Sequence, residues 1–437
     1  MKTTGPGLYR QARRIIPGGT QLLSKRPEMF LPERWPSYYS KAKGVSVWDL
    51  DGNQYVDMSH CSAGACVLGF SDQDVNNAVH AVVETSSIST LNCPEEVELA
   101  SLLCELHPWA EMVRYARSGG EAMSIAVRIA RASTGRDKIA FCGYHGWHDW
   151  YLSANLGDED TLDGHLLPGL HTAGVPRCLQ GTTLPFRYNH LDDLEAIVDD
   201  NGSDLAAIVL ETVRDCEPGD GFLDGIRSIA TKIGATMILD EISSGFRLAS
   251  GGAHLVYNVE PDVAVFAKAI SNGYPMAAVI GRRAVMEAAQ KTFVSSTYWT
   301  ERVGPVAALA TIKKHRREDV ARHLIHIGAL VQMGWRTAAN RVSLPIHVSG
   351  IAPLSHFSFE CDYSEAAHTL FTQEMLENHF LASKSFYPTY AHRDHHVESY
   401  LQAVEEVFGI VAEAVKSKTV MDKLHGPVVH TGFQRLT

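Results

Sequence analysis

The pattern of apolar residues in the middle of the chain predicts buried, mostly parallel β-strands. Three short runs of aliphatic and β-branched residues, AAIVL, ATMILD and VAVFA, occur within the stretch Ala206–Lys268. Each run ends abruptly in ionisable side chains, namely Glu211, Asp240-Glu241 and Lys268. Apolar runs of this length are typical of strands that are covered on both faces. We therefore expect these charges at the carboxyl edge of a sheet, where ligands bind in open α/β folds.

The apolar periodicity of the remaining chain predicts the other strands and helices. Strands alternate with helices from about Arg114 to Gly281, as βαβ units require. An irregular insert, Asn155–Pro185, interrupts the alternation. Near the N-terminus, GVSVWDL and QYVDMS flank Asp51-Gly52-Asn53, a turn sequence typical of a β-hairpin. Apolar spacing further predicts helices at Leu8–Ile16, Val75–Glu84, Glu95–Leu106, Asp319–Ala338, Ser364–His379 and Val397–Lys416.

These elements indicate an α/β fold with two domains. We expect residues 76–320 to form a large domain with a mostly parallel sheet. Residues 1–75 and 321–437 would form a smaller α+β domain from both chain ends. A chain of 437 residues is long enough for such a division.

Composition narrows the class of protein. The chain is 45% hydrophobic and 20% charged, which is typical of soluble globular proteins. No apolar run is long enough to span a bilayer, and the N-terminal sequence lacks the apolar core of a signal peptide. The net charge of -11, with both signs mixed along the chain, argues against nucleic acid as the partner. The eight cysteines form no C-x-x-C pair and indicate free thiols in a reducing cytoplasm.

The strand-end residues Asp240 and Lys268 suit a site for pyridoxal 5'-phosphate (PLP). A lysine amine forms a Schiff base with the PLP aldehyde, and an aspartate pairs with the protonated pyridine nitrogen. The alternative is that Lys268 is a surface residue with a partly buried stem.

A hydroxyl-glycine turn, Ser118-Gly119-Gly120-Glu121, opens the helical pattern AMSIAVRIARAS. Backbone N–H groups and the positive dipole end at such a helix start can bind a phosphate. The alternative is an ordinary N-cap, in which the Ser118 hydroxyl accepts a hydrogen bond from the first turn.

The segment that follows the predicted strand Lys138–Cys142 reads GYHGWHDW. An aromatic such as Tyr144 at a strand end can stack on a planar cofactor ring. Its histidines and aspartate also raise the possibility of a metal site, but the spacing is not that of a helical zinc pair, so we predict no metal. A second histidine-rich segment, His392–His396, is interpreted as solvated surface before a helix.

The order of these features resembles the class III aminotransferases, which are PLP-dependent enzymes of fold type I. The similarity is greatest to the glutamate-1-semialdehyde 2,1-aminomutase-like subgroup and runs over nearly the whole chain. The blocks that carry it are IPGGT (Ile16–Thr20), KAKGVSVWDLDGNQYVDMS (Lys41–Ser59), VLGF (Val67–Phe70), PEEVELASLLCELHP (Pro94–Pro108), SGGEAMSIAVRIARASTGRDKI (Ser118–Ile139), GYHGWHD (Gly143–Asp149), LDEISSGFR (Leu239–Arg247) and Lys268.

The resemblance implies a role for each candidate residue. Lys268 would hold PLP, Asp240 would pair with the ring nitrogen, and Tyr144 would stack on the ring. Ile242 would pack against the opposite ring face. The phosphate would lie at Ser118, Gly119 and Gly120, while His145 and Glu211 would also line the cofactor site.

The family further implies a homodimer with sites at the subunit interface, because a threonine of the neighbouring subunit contacts the phosphate. The corresponding segment here is SSTYWTERVGP (Ser295–Pro305), in which Thr297 is the first candidate and Thr300 the second.

The implied reaction is amino-group transfer from an amino donor to a carbonyl acceptor by a ping-pong Schiff-base mechanism. Departures from the mutase pattern favour a transaminase for another small substrate, such as an amino or oxo sugar, over an aminomutase. The loop Ser59–Gly64 lacks the mutase tryptophan, Ser271, Asn272 and Tyr274 interrupt the glycine-rich run after Lys268, and Lys25 stands where the mutase has an arginine. A PLP-binding protein without turnover is a further alternative.

Overall fold

The computed structural model describes residues 4–165, 168–213 and 215–433. These residues divide into two compact units. One unit is formed by the chain up to Asp72 together with the chain from His323 onwards, and the other unit is Gln73–Arg322. Within the described ranges, no helix has the length and apolar character needed to cross a membrane.

The helices, in chain order, are α1 Gly5–Ile15, α2 Gln73–Val83, α3 Pro94–Leu106, α4 Gly119–Thr134, α5 Asp149–Leu152, α6 Leu191–Asn201, α7 Phe222–Ile233, α8 Arg283–Met286, α9 Val303–Arg317, α10 Val320–Arg341, α11 Ser364–Glu377 and α12 Asp394–Ser417. The strands are β1 Tyr39–Lys43, β2 Ser46–Asp49, β3 Gln54–Met58, β4 Met112–Ala116, β5 Lys138–Cys142, β6 Thr183–Pro185, β7 Leu205–Glu211, β8 Thr236–Asp240, β9 Val263–Phe266, β10 Ala277–Gly281, β11 Ile346–Ser349, β12 Ser355–Phe359, β13 Phe380–Ala382 and β14 Ser385–Phe386.

The Gln73–Arg322 unit is built on a seven-stranded sheet with the order β4-β10-β9-β8-β7-β5-β6. The strands β9, β8, β7, β5 and β6 run parallel to one another. Strand β10 pairs antiparallel with both of its neighbours, β4 and β9. The predicted mostly parallel sheet is therefore confirmed.

Both faces of this sheet are covered, which explains the continuous apolar runs. In β7, Ala207 and Val209 point into a core that also contains the apolar face of α4. The alternate residues Ile208 and Leu210 point into a second core with residues of α6 and α7. Successive side chains of a strand face opposite sides, so a strand between two helical layers needs apolar residues at every position.

The other unit contains a four-stranded sheet, β1-β2-β3-β13, and a three-stranded sheet, β11-β12-β14. The predicted hairpin is confirmed, with β2 and β3 antiparallel. Its turn is fixed by Asp49, whose Oδ1 accepts hydrogen bonds from the N–H groups of Asp51 and Asn53. The core of this unit is centred on residues such as Trp335, Phe357 and Phe408.

Two expectations from the sequence need correction. The insert Asn155–Pro185, of which residues 166 and 167 lie outside the described ranges, is not irregular throughout, because its last three residues form a strand, β6, that pairs with β5. His392 is fully buried rather than solvated. Its Nδ1 accepts from the Thr389 N–H at 2.9 Å and its Nε2–H donates to the Asp57 carbonyl at 3.0 Å. Burial lowers the pKa of His392 to about 4, so the ring is a neutral bridge in the core.

Candidate active site

Three predicted ionisable residues meet at one edge of the large sheet. The parallel register sets Glu211 of β7 beside Asp240 of β8, and Asp240 beside Val265 of β9. Lys268 lies two residues beyond the end of β9. Its φ of +49° is left-handed and begins a short 3₁₀ turn that leads the chain away from the strand. The carboxyl ends of parallel strands thus gather an amine and two carboxylates, as expected for this class of sheet.

The surroundings of Lys268 have opposing effects on the pKa of its amine. Burial lowers the pKa of the Lys268 amine, while the carboxylates of Asp240 and Glu211 raise it and the Arg247 guanidinium lowers it further. Burial is the largest of these influences, and the pKa is lowered overall. A larger fraction of the amine is therefore neutral, and nucleophilic, than in an exposed lysine.

Asp240 is held by hydrogen bonds to both of its oxygens. Oδ1 accepts from the Ile242 N–H at 2.9 Å, and Oδ2 lies 2.8 Å from His145 Nδ1. The other ring nitrogen of His145, Nε2, lies 3.1 Å from the carbonyl oxygen of Cys142. A carbonyl oxygen only accepts hydrogen bonds, so Nε2–H donates to Cys142, and Nδ1 faces Asp240 Oδ2. The contacts define a buried histidine–aspartate pair.

Tyr144 leaves the end of β5 with its ring edge-on to Tyr151, at a centroid distance of 5.8 Å. Its backbone N–H donates to Glu211 Oε2 at 3.2 Å. This close approach requires glycine at position 143, where φ is +119° and an added Cβ would lie 2.6 Å from Glu211 Oε2. Burial, and then the charges of Asp240 and Glu211, raise the pKa of Tyr144, which keeps the phenol protonated.

The turn before α4 differs from an ordinary N-cap. Ser118 has the extended backbone of an N-cap, with φ -137° and ψ 155°, but its hydroxyl makes no capping hydrogen bond to the first turn. Gly119 packs tightly on Ile242, because an added Cβ would lie 2.8 Å from Ile242 Cδ1. The first N–H groups of a helix have no partner within the helix, and a 16-residue helix directs its positive dipole end here. An uncommitted hydroxyl and these N–H groups can together bind an anion.

Thr297 and Thr300 are the first and last residues of a short 3₁₀ helix, in which the Thr300 hydroxyl donates to the Thr297 carbonyl at 2.9 Å. This helix is tied to the α4 turn through its neighbours. Trp299 Nε1 donates to Glu121 Oε1 at 3.0 Å, and Arg117 Nε lies 2.9 Å from Glu301 Oε1. In the part of the chain that the structure describes, no hydrogen bond joins either threonine to residues 118–120.

Sequence reasoning did not single out Ser243. Its hydroxyl oxygen lies 2.7 Å from Lys268 Nζ, although the two residues are 25 positions apart. The sequence also placed His145 in the site without identifying Asp240 as its partner. Neither pairing has a local sequence pattern, because each depends on which strands are neighbours in the sheet.

The groups at this edge are those that PLP needs. They include a half-buried amine, a carboxylate fixed in orientation, an aromatic and an aliphatic side chain, and a helix start that can bind an anion. Across the described ranges, no three His, Cys, Asp or Glu side chains are grouped as metal ligands would be.

Comparison with known proteins agrees with this chemistry. Residues 32–408 match the family model of the class-III aminotransferases. A 3-aminobutyryl-CoA aminotransferase of Cloacimonas acidaminovorans is 30% identical over 412 residues, covering 91% of this chain and 95% of that protein. A glutamate-1-semialdehyde 2,1-aminomutase of Desulforamulus reducens is 33% identical over 430 residues, covering 93% and 98%. The FumI protein of Sphingopyxis sp. MTA144, solved with PLP, shares the fold with a TM-score of 0.86 over 95% of this chain and 98% of that chain, at 24% identity.

Proposed function

This chain belongs to the class-III aminotransferase family, and we propose that it transfers an amino group between two separate small molecules. The enzyme is a PLP-dependent aminotransferase with fold type I, and the predictions of family, fold, enzyme class and cofactor are confirmed. The roles of individual residues, the substrate, the oligomeric state and the compartment are proposals.

The observation that supports the site assignment is the half-buried Lys268 amine, on which the carboxylates of Asp240 and Glu211 act. Bound PLP supplies an aldehyde that condenses with amines and a ring that accepts electrons. Lys268 would bind the aldehyde carbon and Asp240 the ring nitrogen. Tyr144 and Ile242 would cover the two ring faces.

The remaining candidates would orient the cofactor. Ser118, Gly119 and Gly120 would bind its phosphate, and Glu211 would lie near the ring hydroxyl. His145 would act through Asp240, by holding one carboxylate oxygen. Thr297, or else Thr300, would reach the phosphate of a neighbouring subunit.

The proton chemistry follows from the lowered pKa of Lys268. Its Nζ would accept the proton from the substrate carbon that carries the amino group and would deliver that proton to the former aldehyde carbon of the cofactor in the same half-reaction, with the reverse transfer in the second half. A neutral amine is required for the first of these transfers. Burial favours the neutral form, whereas Asp240 and Glu211 keep the protonated form accessible.

Two regions support a transaminase over an aminomutase. In the loop Ser59–Gly64 no tryptophan is present, and Cys61, Ser62 and Ala63 all have left-handed φ values. Beyond Lys268, the mutase-type glycines are replaced by side chains with their own contacts. The Tyr274 hydroxyl donates to Asn76 Oδ1 at 3.2 Å, and the Ser271 hydroxyl donates to the Tyr274 carbonyl at 2.5 Å.

The amino donor is proposed to carry its amino group on a carbon β to a carbonyl. Support comes from the relative that acts on 3-aminobutyryl-CoA, whose amino group has that position. The aminomutase is the second candidate, since the mutase of Desulforamulus reducens matches 93% of this chain at 33% identity.

Absorbance of the cofactor tests these proposals. We expect β-amino acids or their thioesters to convert the PLP band of the holoenzyme to that of the aminated cofactor, and a 2-oxo acid to reverse the change. Rapid conversion of glutamate-1-semialdehyde to 5-aminolevulinate, with no response to β-amino donors, would establish the mutase instead. Lys268→Ala is the control and should abolish the response to every donor.

We also propose a homodimer. Phe293 and Tyr298 are 93% and 72% exposed, and Leu91 is 79% exposed. The segments that carry Tyr298 and Leu91 adjoin, because the Arg302 N–H donates to the Ser87 carbonyl at 2.8 Å. Large apolar side chains exposed on adjoining loops are typical of an interaction surface. The double variant Phe293→Ser, Tyr298→Ser should shift the protein towards monomer in light scattering, whereas Val256→Ser, at an exposed valine, should not.

None of the eight cysteines is joined to another by a disulfide bond. This supports the proposal that the enzyme works in the reducing cytoplasm.

A further inference from the structure

The Lys268 amine has one direct hydrogen-bond partner that the family chemistry leaves unassigned. Ser243 lies in the turn after β8, three residues beyond Asp240, and its Oγ is 2.7 Å from Lys268 Nζ. A distance of this size is short for a hydrogen bond between an amine nitrogen and an oxygen. Both side chains are partly exposed at the sheet edge, so the contact faces the site rather than the core.

The adjacent serine has a different task. Ser244 is buried, and its hydroxyl donates to Glu241 Oε2 at 2.6 Å. Glu241 is itself buried and accepts further hydrogen bonds, from Thr212 and from the backbone of Ala253 and His254. Ser244 thus fixes the turn, which leaves Ser243 directed at the amine.

The charged and titratable groups around Lys268 make this contact matter. Asp240 on β8, Glu211 on β7 and the Arg247 guanidinium all act on the amine. Tyr144, after β5, adjoins the same two carboxylates, and His145 is paired with Asp240. Among the hydrogen bonds of the described residues, the one to Ser243 is the direct contact of Nζ, whereas Asp240, Glu211 and Arg247 act on the amine through space.

We propose that Ser243 is a positioning residue for Lys268, whose hydroxyl holds the lysine amine at the sheet edge whenever that amine is not bonded to the cofactor. The proposal rests on the proposed role of Lys268. A hydroxyl both accepts and donates, so Ser243 can accept a hydrogen bond from the ammonium form and donate one to the neutral amine. The nitrogen therefore keeps its place through both protonation states.

The two hydrogen bonds differ in strength, which gives a measurable sign. A hydrogen bond to a charged group is roughly twice as strong as one between neutral groups. Ser243 therefore stabilises the ammonium form more than the amine form. Removal of the hydroxyl should lower the pH at which Lys268 deprotonates, by roughly half a unit to one unit.

The test uses the full chain without cofactor, labelled with trinitrobenzenesulfonate across a range of pH, with the Lys268 peptide quantified by mass spectrometry. Ser243→Val should shift the midpoint of Lys268 labelling to lower pH. Ser243→Thr has nearly the shape of the valine variant but keeps a hydroxyl, so its midpoint should be close to that of the native protein. Ser244→Ala controls for loss of a hydroxyl from the same turn, and should lower thermal stability without moving the midpoint. Equal midpoints in Ser243→Val and Ser243→Thr would overturn the proposal.

A second readout separates this proposal from the proposed function. In the holoenzyme, Ser243→Val should slow conversion of the cofactor band by an amino donor roughly tenfold, with little change in the donor concentration at half-maximal rate. Labelling of the apoprotein needs no turnover. If the labelling midpoint shifts but the holoenzyme does not react with amino donors, the role of Ser243 stands and the proposed transamination is refuted. If the enzyme is active but the midpoint does not shift, the role of Ser243 alone is refuted.

Discussion

Replacement of His145 by the two amides separates its two hydrogen bonds. The amide nitrogen of asparagine takes nearly the position of histidine Nδ1, and that of glutamine nearly the position of Nε2. His145→Asn therefore keeps a donor for Asp240 Oδ2, which lies 2.8 Å from Nδ1 in the native protein. His145→Gln keeps a donor for the Cys142 carbonyl and leaves Asp240 with the Ile242 N–H as its remaining donor among these contacts.

The magnitude follows from the kind of bond that is lost. A hydrogen bond to a charged group contributes about 1.5–3 kcal/mol, and a neutral one about 0.5–1.5 kcal/mol. If Asp240 must be held to act on the cofactor ring, His145→Gln should slow reaction with an amino donor roughly 10- to 150-fold. His145→Asn keeps a hydrogen bond to the Asp240 carboxylate and loses the one to the Cys142 carbonyl, so the rate should fall at most about tenfold.

Single-turnover absorbance of the cofactor after rapid mixing with donor measures this rate directly. Circular dichroism of each variant controls for the fold, because both side chains of the pair are buried. A His145→Gln enzyme that reacts as fast as the native enzyme would refute this role of His145. Equal slowing of the asparagine and glutamine variants would also refute it, because the hydrogen bond to Asp240 would then not set the rate.

Three further predictions concern the cofactor site and the core. Ser118→Ala should weaken PLP binding several-fold in a titration of apoprotein yet change thermal stability little, because the Ser118 hydroxyl does not cap α4; a loss of about 1 kcal/mol in stability, as for an ordinary cap, would contradict this. Gly119→Ala should weaken PLP binding by roughly tenfold or more, because its Cβ would lie 2.8 Å from Ile242 Cδ1, while Gly409→Ala, whose Cβ would meet nothing within 4 Å, should leave binding unchanged. Burial lowers the pKa of His107, His315 and His392 to about 4 each. In the unfolded chain the histidine pKa values are near 6.5, so below that pH the unfolded chain binds more protons than the folded one. The free energy of unfolding should therefore be level above about pH 7 and fall by several kcal/mol towards pH 4. Urea midpoints that stay constant from pH 7.5 to pH 5 would show that these rings are not buried as neutral bases.

The apolar pattern of the chain predicted which central segments are strands and which side chains end them. An apolar run such as Ala206–Leu210 has no solvent-facing position, so it can only be covered on both faces, and Glu211 must then mark its edge. The hairpin around Asp51-Gly52-Asn53 was equally local, since its turn residues hydrogen-bond within a few positions of Asp49. Such local features can be predicted from the sequence without knowing which strands are neighbours in the sheet.

Tertiary structure alone decided which of these groups are partners. His145 and Asp240 are 95 residues apart, and Ser243 and Lys268 are 25 apart. Their pairing depends on the strand order β9-β8-β7-β5, which no spacing in the chain encodes. His392 shows the same limit, because a polar sequence around it predicted solvent exposure while contacts with Thr389 and the distant Asp57 satisfy its ring in the core. Burial of a polar group is decided by whether the fold supplies its hydrogen bonds, and that supply comes from residues remote in sequence.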